Sequence, residues 1–325
     1  MIPGEQWARR GVGERLSSLA DPLFRGSTRL AGWLVLALIA GIGALLAIAS
    51  GPALARFGPG FLTSNEWDAV GERFGALVPL VGTLVTSALA LAIAVPVSLG
   101  IAIFVTELSP SFLRRPIAMA IELLAAIPSI IYGMWGLFSF APFFAEHIQP
   151  WMTETLGDLP LVGALFQGPP LGIGVFTAGL ILSIMVIPFV SSVMRDVFEV
   201  VPPELKESAY GMGATTWEVL RHVVIPYTRA GVVGGILLGL GRALGETMAV
   251  TFVIGNAHRL SASLFMPGNT ISATLANEFT ESVGELYTSS LVALGLVLFG
   301  LTFAVLALAR LLLRRIEAQG GGNRT

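Results

Sequence analysis

Cysteine is absent from the 325 residues. Disulfides, thiolate metal sites and cysteine nucleophiles are thereby excluded, and the redox compartment stays open. Histidine occurs three times, scattered, so a histidine-based metal site is not expected and no cofactor is called for. Lysine occurs once, at Lys206. A phosphate-binding loop needs Gly-x4-Gly-Lys-Ser/Thr, whose lysine reaches the nucleotide phosphates. Lys206 follows Pro202-Pro203-Glu204-Leu205, so the chain cannot be its own ATPase by that route. Charge is short as well: Asp, Glu, Lys and Arg make up 12% of residues, about half the share usual in soluble domains. The net charge of −2 excludes a generally basic nucleic-acid binder.

What is present is apolar. Hydrophobic residues make up 54% of the chain and the mean hydropathy is +0.79. Such a chain has too little charge to cover a soluble surface, which points to a polytopic membrane protein. A hydrocarbon core of ~30 Å takes about 20 mostly apolar residues per helix. Six segments qualify: residues 31–49, 75–106, 117–145, 171–194, 230–254 and 288–309. The expected fold class is therefore an all-α membrane protein with six transmembrane helices. The first run reads as a retained span, since some thirty polar residues precede it and no small-residue cleavage site follows a short core. Proline sits near mid-span in runs two, three and four, at Pro96, Pro128 and Pro188, which predicts kinks. The tails, residues 319–325 included, read as disordered.

Basic residues set the orientation. Arg9, Arg10, Arg15, Arg25, Arg29, Arg114, Arg115, Arg195, Lys206, Arg221, Arg229, Arg310, Arg314, Arg315 and Arg324 fall on one side, fifteen in all. Arg56, Arg73 and Arg259 face the other, and Arg242 lies within a span. Both termini are thus expected in the cytoplasm. The organisation that follows is a cytoplasmic tail at 1–30, a first span at 31–50 and a periplasmic loop at 51–74. A five-helix core covers 75–310, and a second cytoplasmic tail covers 311–325.

The longest cytoplasmic connection, 203–226, has the chemistry of two short helices. Pro203 suits a first helical turn, and Glu204 and Glu207 suit the positive end of the helix dipole. Gly213 can end that helix in a left-handed cap. Thr215 and Glu218 are spaced as a capping box for the second helix, and Pro226 marks where it must end or bend. Trp217, Leu220 and Val224 share a face that has no reason to stay apolar in water unless it packs on something, be it membrane lipid or a partner.

The fifth run holds the most costly residues. Taken as one helix at about 100° per residue, Gly231, Gly235, Gly239, Arg242 and Glu246 lie within roughly 80° of one another. Glycines at every fourth position admit close approach of another helix. A charge at the bilayer centre costs about 2.5–3.5 kcal/mol on insertion scales, and Arg242 is too far from Arg229 to snorkel out. The pair is either an i,i+4 packing device or part of an anion path. In the second case the guanidinium would hold a phosphate-like oxyanion. Glu246 would then favour an anion able to donate a proton, as hydrogen phosphate does and sulfate does not. Glu122, near the start of the third run, is expected to steady that helix's N-terminus. Ser129 and Tyr132 flank Pro128 and are candidates to line a path. The outer loops carry acids, Glu278 among them, that read as a solvated surface.

Three stretches carry a family resemblance. Glu207-Ser208-Ala209, Gly213 and Val223-Val224-Ile225-Pro226 resemble the EAA loop of binding-protein-dependent ABC-importer permeases, with Ser208, Val223 and Ile225 as conservative departures. The segments Gly241–Asn256 and Glu122–Gly136 are similar to stretches of the phosphate-importer permeases within that family. The resemblance covers about residues 60–312 and implies a MetI-like permease core that is not itself an enzyme. It implies that Glu207, Ser208, Ala209, Gly213, Trp217, Ile225 and Pro226 couple to an ATPase, and that Gly231, Gly235 and Gly239 pack helices. Arg242, Glu246, Thr247, Ser129 and Tyr132 would line the substrate path. The implied partners are a second permease subunit, a cytoplasmic ATPase dimer and a periplasmic phosphate-binding protein, with no nucleic acid. A permease for phosphonate, sulfate or molybdate, or a scaffold that senses phosphate without conducting it, remain the alternatives.

Overall fold

The computed structural model describes residues 4–160 and 162–321, with side chains from residue 22 onward except at 161, 312 and 315–321. Arg9, Arg10, Arg15, Arg315 and Arg324 of the basic census lie outside the described side chains. So does the stretch 322–325 of the tail read as disordered.

The first helix, α1 (Gly4–Ala49), contains the whole of the first apolar run. Two short helices follow, α2 (Gly51–Phe57) and α3 (Gly60–Thr63). A small antiparallel pair, β1 (Trp67–Asp68) and β2 (Arg73–Phe74), sets Trp67 opposite Phe74. The fold is therefore mostly helical and not wholly so. Next come α4 (Leu77–Ile103), ended by a wide π-turn Phe104–Leu108, and α5 (Ser111–Ala125). Then α6 (Ser129–Trp135), α7 (Ala141–Phe143) and α8 (Gln149–Leu156) run on through further wide turns. Beyond them lie α9 (Val175–Glu199), α10 (Pro203–Gly211), α11 (Thr216–Val219) and α12 (Ile225–Leu244). The last are α13 (Met248–Val253), α14 (Ile271–Glu278) and α15 (Glu285–Gly321).

Among the described residues, five helices are long and apolar enough to cross a membrane, six if one bent pair counts as a span. Four expectations change here. The third run is no continuous helix: α5 and the run beginning at Ser129 are bent by 84° at residues 126–128. Pro128 lacks an N–H and restricts its neighbour, so the chain turns where a kink was expected. The fourth span begins at Val175, four residues late, because Gly172 and Gly174 carry positive φ. The fifth run breaks between Leu244 and Met248, so Glu246 is not on the same helix as Arg242. The tails read as disordered are helical from Gly4 and as far as Gly321.

The core centres on α9, whose Ile181, Leu182, Val186, Val190 and Met194 are buried between α4 and α12. Pro96 and Pro188 lie inside α4 and α9. The hydroxyl of Ser98 donates to the carbonyl of Ile187 at 3.1 Å, a polar tie between the two helices beside Pro188. A second cluster joins Phe61, Phe74, Ile271, Leu291 and Leu294.

Candidate substrate path and coupling surface

The glycines of α12 face α9. A Cβ at Gly231, Gly235 or Gly239 would meet Val197, Val193 or Val190 at 2.5, 3.1 and 2.5 Å. Arg242, one turn on, lays its guanidinium over the Phe189 ring of α9, 5.7 Å from the centroid. A cation over a ring face is favoured by the ring quadrupole. Nothing in the sequence reading singled out Phe189; its place directly after Pro188 was the available signal.

Glu246 turns away from the arginine. The i,i+4 pair presupposed an unbroken helix, and among the described residues the two form no ion pair. Its Oε1 accepts the N–H of Ala249 at 3.1 Å, satisfying one of the orphan donors at the start of α13. Thr247 occupies the cap position, and its carbonyl accepts both the N–H and the hydroxyl of Thr251. Gly245, with Thr247 two residues on, supplies the weak helix formers that let the chain open.

The second broken helix packs against the first. A Cβ at Gly133 would come within 3.0 Å of the Ala249 Cα, and one at Gly136 within 3.0 Å of Val253. This Gly-x-x-Gly approach of α6 to α13 was missed in sequence, although the spacing stands in the open. Tyr132 is buried and donates its hydroxyl to the Leu124 carbonyl at 2.9 Å, pinning the bend by holding the last turn of α5. The charge of Arg242 lies within Coulombic reach of that phenol. Ser129, half-buried, is the first residue of α6. Of the predicted path residues, Tyr132 pins the bend before α6 and Arg242 rests on Phe189, while Glu246 and Thr247 form the opened turn after α12. Glu122 sits in the last turn of α5, not at its start, and receives Arg195 at 3.1 Å.

At the other end of α12 the connection folds as its chemistry demands. Pro203 opens α10, Gly213 has φ +88°, and the capping box is complete. Thr215 N–H donates to Glu218 at 2.8 Å, and Glu218 N–H donates to the Thr215 hydroxyl at 3.4 Å. Pro226 does not stop the helix. A wide turn over Leu220–Val224 precedes it, and α11 and α12 form one helical run, Thr216–Leu244. Ile225 and Pro226 are merely the first residues of α12.

The apolar face divides. Leu220 and Val224 are buried in the chain's own core, whereas Trp217 is 63% exposed and Met212 84%. Tyr210 is exposed too, as are Glu207 and Ser208; Ala209 is buried. The Ser208 hydroxyl donates to the Glu204 carbonyl at 2.6 Å. Lys206 pairs with Glu107 at 2.6 Å, which anchors α10 to the π-turn after α4.

Glu278, read from sequence as solvated acid, is instead the centre of a half-buried network. Trp67 and Tyr287 both donate to Glu278 Oε2 at 2.7 Å, and His258 meets Oε1 at 2.9 Å. His258 stacks on Trp67 with centroids 5.2 Å apart. Burial alone would raise the Glu278 carboxyl, but the hydrogen bonds from His258, Tyr287 and Trp67 outweigh it and hold the pKa below the usual value.

Comparison with known proteins bears on the family and the fold. Residues 94–318 match the family model described as binding-protein-dependent transport system inner membrane component. The chain is 60% identical over 307 residues to the phosphate transport system permease protein PstC of Mesorhizobium japonicum, covering 94% of each. It is 60% identical over 303 residues to the Pasteurella multocida protein of that name, covering 93% of this chain and 94% of that one. A probable phosphate transport system permease of Methanocaldococcus jannaschii is 39% identical over 254 residues, 76% of this chain and 79% of its own. Among solved structures, a bacterial alginate ABC transporter shares the fold with TM-score 0.60 at 18% identity, over 93% of this chain and 98% of that one. The chain belongs to the family of binding-protein-dependent transport system inner membrane components, as a non-catalytic, multi-pass permease of the inner membrane.

Proposed function

We propose that the chain forms one half of the translocation path of an ATP-driven phosphate importer. The observation that carries the reading is Arg242: a cation in the last turn of a broken helix, propped on Phe189, in a chain so closely similar to phosphate transport permeases. Its free donors suit a tetrahedral oxyanion. Glu246 commits one oxygen to Ala249 and keeps the other for an anion that brings its own proton, as hydrogen phosphate can.

In this reading the broken pair counts as one span, giving six, and the basic census puts both termini in the cytoplasm. The exposed Tyr210, Met212 and Trp217 then face a separate ATPase dimer (PstB-like). A second permease subunit (PstA-like) completes the path, and a periplasmic phosphate-binding protein (PstS-like) delivers the ion to an outer face too acidic to gather it. The helical run from Thr216 to Arg242 covers about 39 Å at ~1.5 Å per residue. It acts as one lever: displacement of the coupling segment by the ATPase moves the arginine at its far end.

Labelled-phosphate uptake into vesicles holding the assembled transporter tests this. Arg242→Gln should cut uptake roughly tenfold or more, one charge-assisted hydrogen bond being worth about 1.5–3 kcal/mol, while subunits still co-purify. Uptake at the wild-type rate would end the proposal. Glu246→Gln keeps an acceptor for Ala249 and should let sulfate compete with phosphate; unchanged discrimination would remove Glu246 from selectivity.

A further inference from the structure

Between the ends of α4, α5 and α9 and the start of α10 lies a cavity of about 470 Å³. Its polar wall is Thr106, Arg114, Arg115, Arg195, Glu199 and Lys206. Two of these cations are already matched. Lys206 is on Glu107, and Arg195, only 14% exposed, is on Glu122 and Asp196 at 3.1 and 2.8 Å. The other two are not. Arg114 gives its Nε to the Ser109 carbonyl at 3.0 Å, which leaves its terminal amino groups free. Arg115 has no hydrogen-bond or ion-pair partner among the described residues. Of the wall's own residues only Glu199 is acidic. Counting Glu107, Glu122 and Asp196 behind the wall the charges balance, and what distinguishes Arg114 and Arg115 is that their forks, exposed at the rim, are not committed to those acids.

Local structure also favours an anion beside these two side chains. Arg114 and Arg115 stand near the N-terminal end of the fifteen-residue α5, whose first turn holds no acid. Cations near that end of a helix oppose its dipole and are unfavourable unless an anion lies close by. Arginine forks match phosphoryl oxygens in bidentate fashion, and basic pockets between helix ends on the cytoplasmic side are where anionic headgroups lodge. Phe112, Leu113 and Met119, exposed on the same helix, offer apolar surface alongside.

We infer that this cleft binds a phosphoryl oxyanion, either the phosphodiester of an anionic lipid or free inorganic phosphate. The ligand lies between the arginines of α5 and the ammonium of Lys206, which keeps donors beyond the one given to Glu107, and so stiffens the joint between membrane helices and coupling segment. Its cytoplasmic placement rests on the orientation proposed above; the binding itself does not.

The test uses the assembled transporter, purified and delipidated, with binding read in the absence of transport. Two probes are offered separately: nanodiscs containing phosphatidylglycerol against phosphatidylcholine, and radiolabelled inorganic phosphate. Arg114→Gln combined with Arg115→Gln should weaken retention of one probe at least tenfold, while Arg310→Gln, a basic residue away from the cleft, leaves it unchanged. Loss confined to phosphatidylglycerol identifies a lipid headgroup; loss confined to inorganic phosphate identifies the free ion. Arg114→Lys with Arg115→Lys, which keeps charge but removes the forks, should fall between and guards against a folding defect. Equal retention of both probes by wild type and Gln variant overturns the inference. So does an equal loss in Arg310→Gln, which would mean general charge attraction. Because uptake is not measured, failure here is separate from failure of the phosphate-importer reading.

Discussion

Helices α1 and α9 are similar in apolar character and opposite in surroundings. In their most apolar windows, none of α1 is buried within the chain, against 61% of α9. Hydropathy reports that a segment prefers lipid to water; it carries no information about which neighbour replaces the lipid. That information lies in side-chain size. Gly179 of α9 fits against Leu89 so closely that a Cβ would come to 2.5 Å, and the α12 glycines receive the valines of α9. In α1 a Cβ at Gly26, Gly32 or Gly41 would meet nothing within 4 Å, while one at Gly43 would meet Phe299 of α15 at 3.2 Å. Without a hydrophobic drive between helices in lipid, close backbone approach decides which ones associate. The family match, which begins at residue 94, also leaves α1 outside.

Substitution can break that comparison. Gly239→Leu should destabilise the α9–α12 contact by about 1–3 kcal/mol or more through overpacking, seen as a lowered melting temperature in detergent; Gly41→Leu in α1 should change it hardly at all. If both behave alike, the packing distinction is wrong. Leu182→Ala in α9 comes next, at about 2 kcal/mol. That is the low end for a buried truncation, since lipid and not water is the alternative surrounding.

A smaller effect is expected from acid at the Glu278 network. A carboxylate whose folded pKa is depressed stabilises the fold above its unfolded value, and that contribution is lost as pH falls through the folded value. Glu278 is such a group. The contact with Trp67 should therefore hold from neutral pH down through the ordinary carboxylate range and loosen only below 4.5. Trp67 fluorescence, taken as the difference from Trp67→Phe, reads it, and Glu278→Gln should erase the transition. Smallest of all, Ile39→Ala on the exposed face of α1 should stay within about 0.5 kcal/mol of wild type. A larger loss would mean that α1 has a tightly packed neighbour outside this chain.

Much of the architecture was legible because its causes are local. Apolar length gave the spans, and the Thr215–Glu218 spacing gave a capping box that formed. Pro203 and Gly213 took the backbone states that their chemistry favours. The site was less legible because its geometry comes from departures from helix. An ideal wheel set Glu246 beside Arg242, yet the chain opens at Gly245 and the carboxylate finds Ala249 N–H instead. Pro128 announced a bend, but its 84° depends on Tyr132 reaching back to Leu124 and on α6 seating against α13. Pro226 marked an end or a bend, and of the two the helix does not end: a wide turn directly before it takes up the missing N–H. Glu278 looked solvated because its partners lie far away in sequence, at Trp67, His258 and Tyr287.

Lys206 carries the only ε-amine in the molecule, and it is clasped by a carboxylate that is itself only 8% exposed. An acylating reagent that attacks neutral amines would find almost nothing else to modify, a terminal amino group aside. The speed of that single modification would then time how often α10 lifts off the membrane domain. One residue serves as a clock for the whole joint, with no residue replaced.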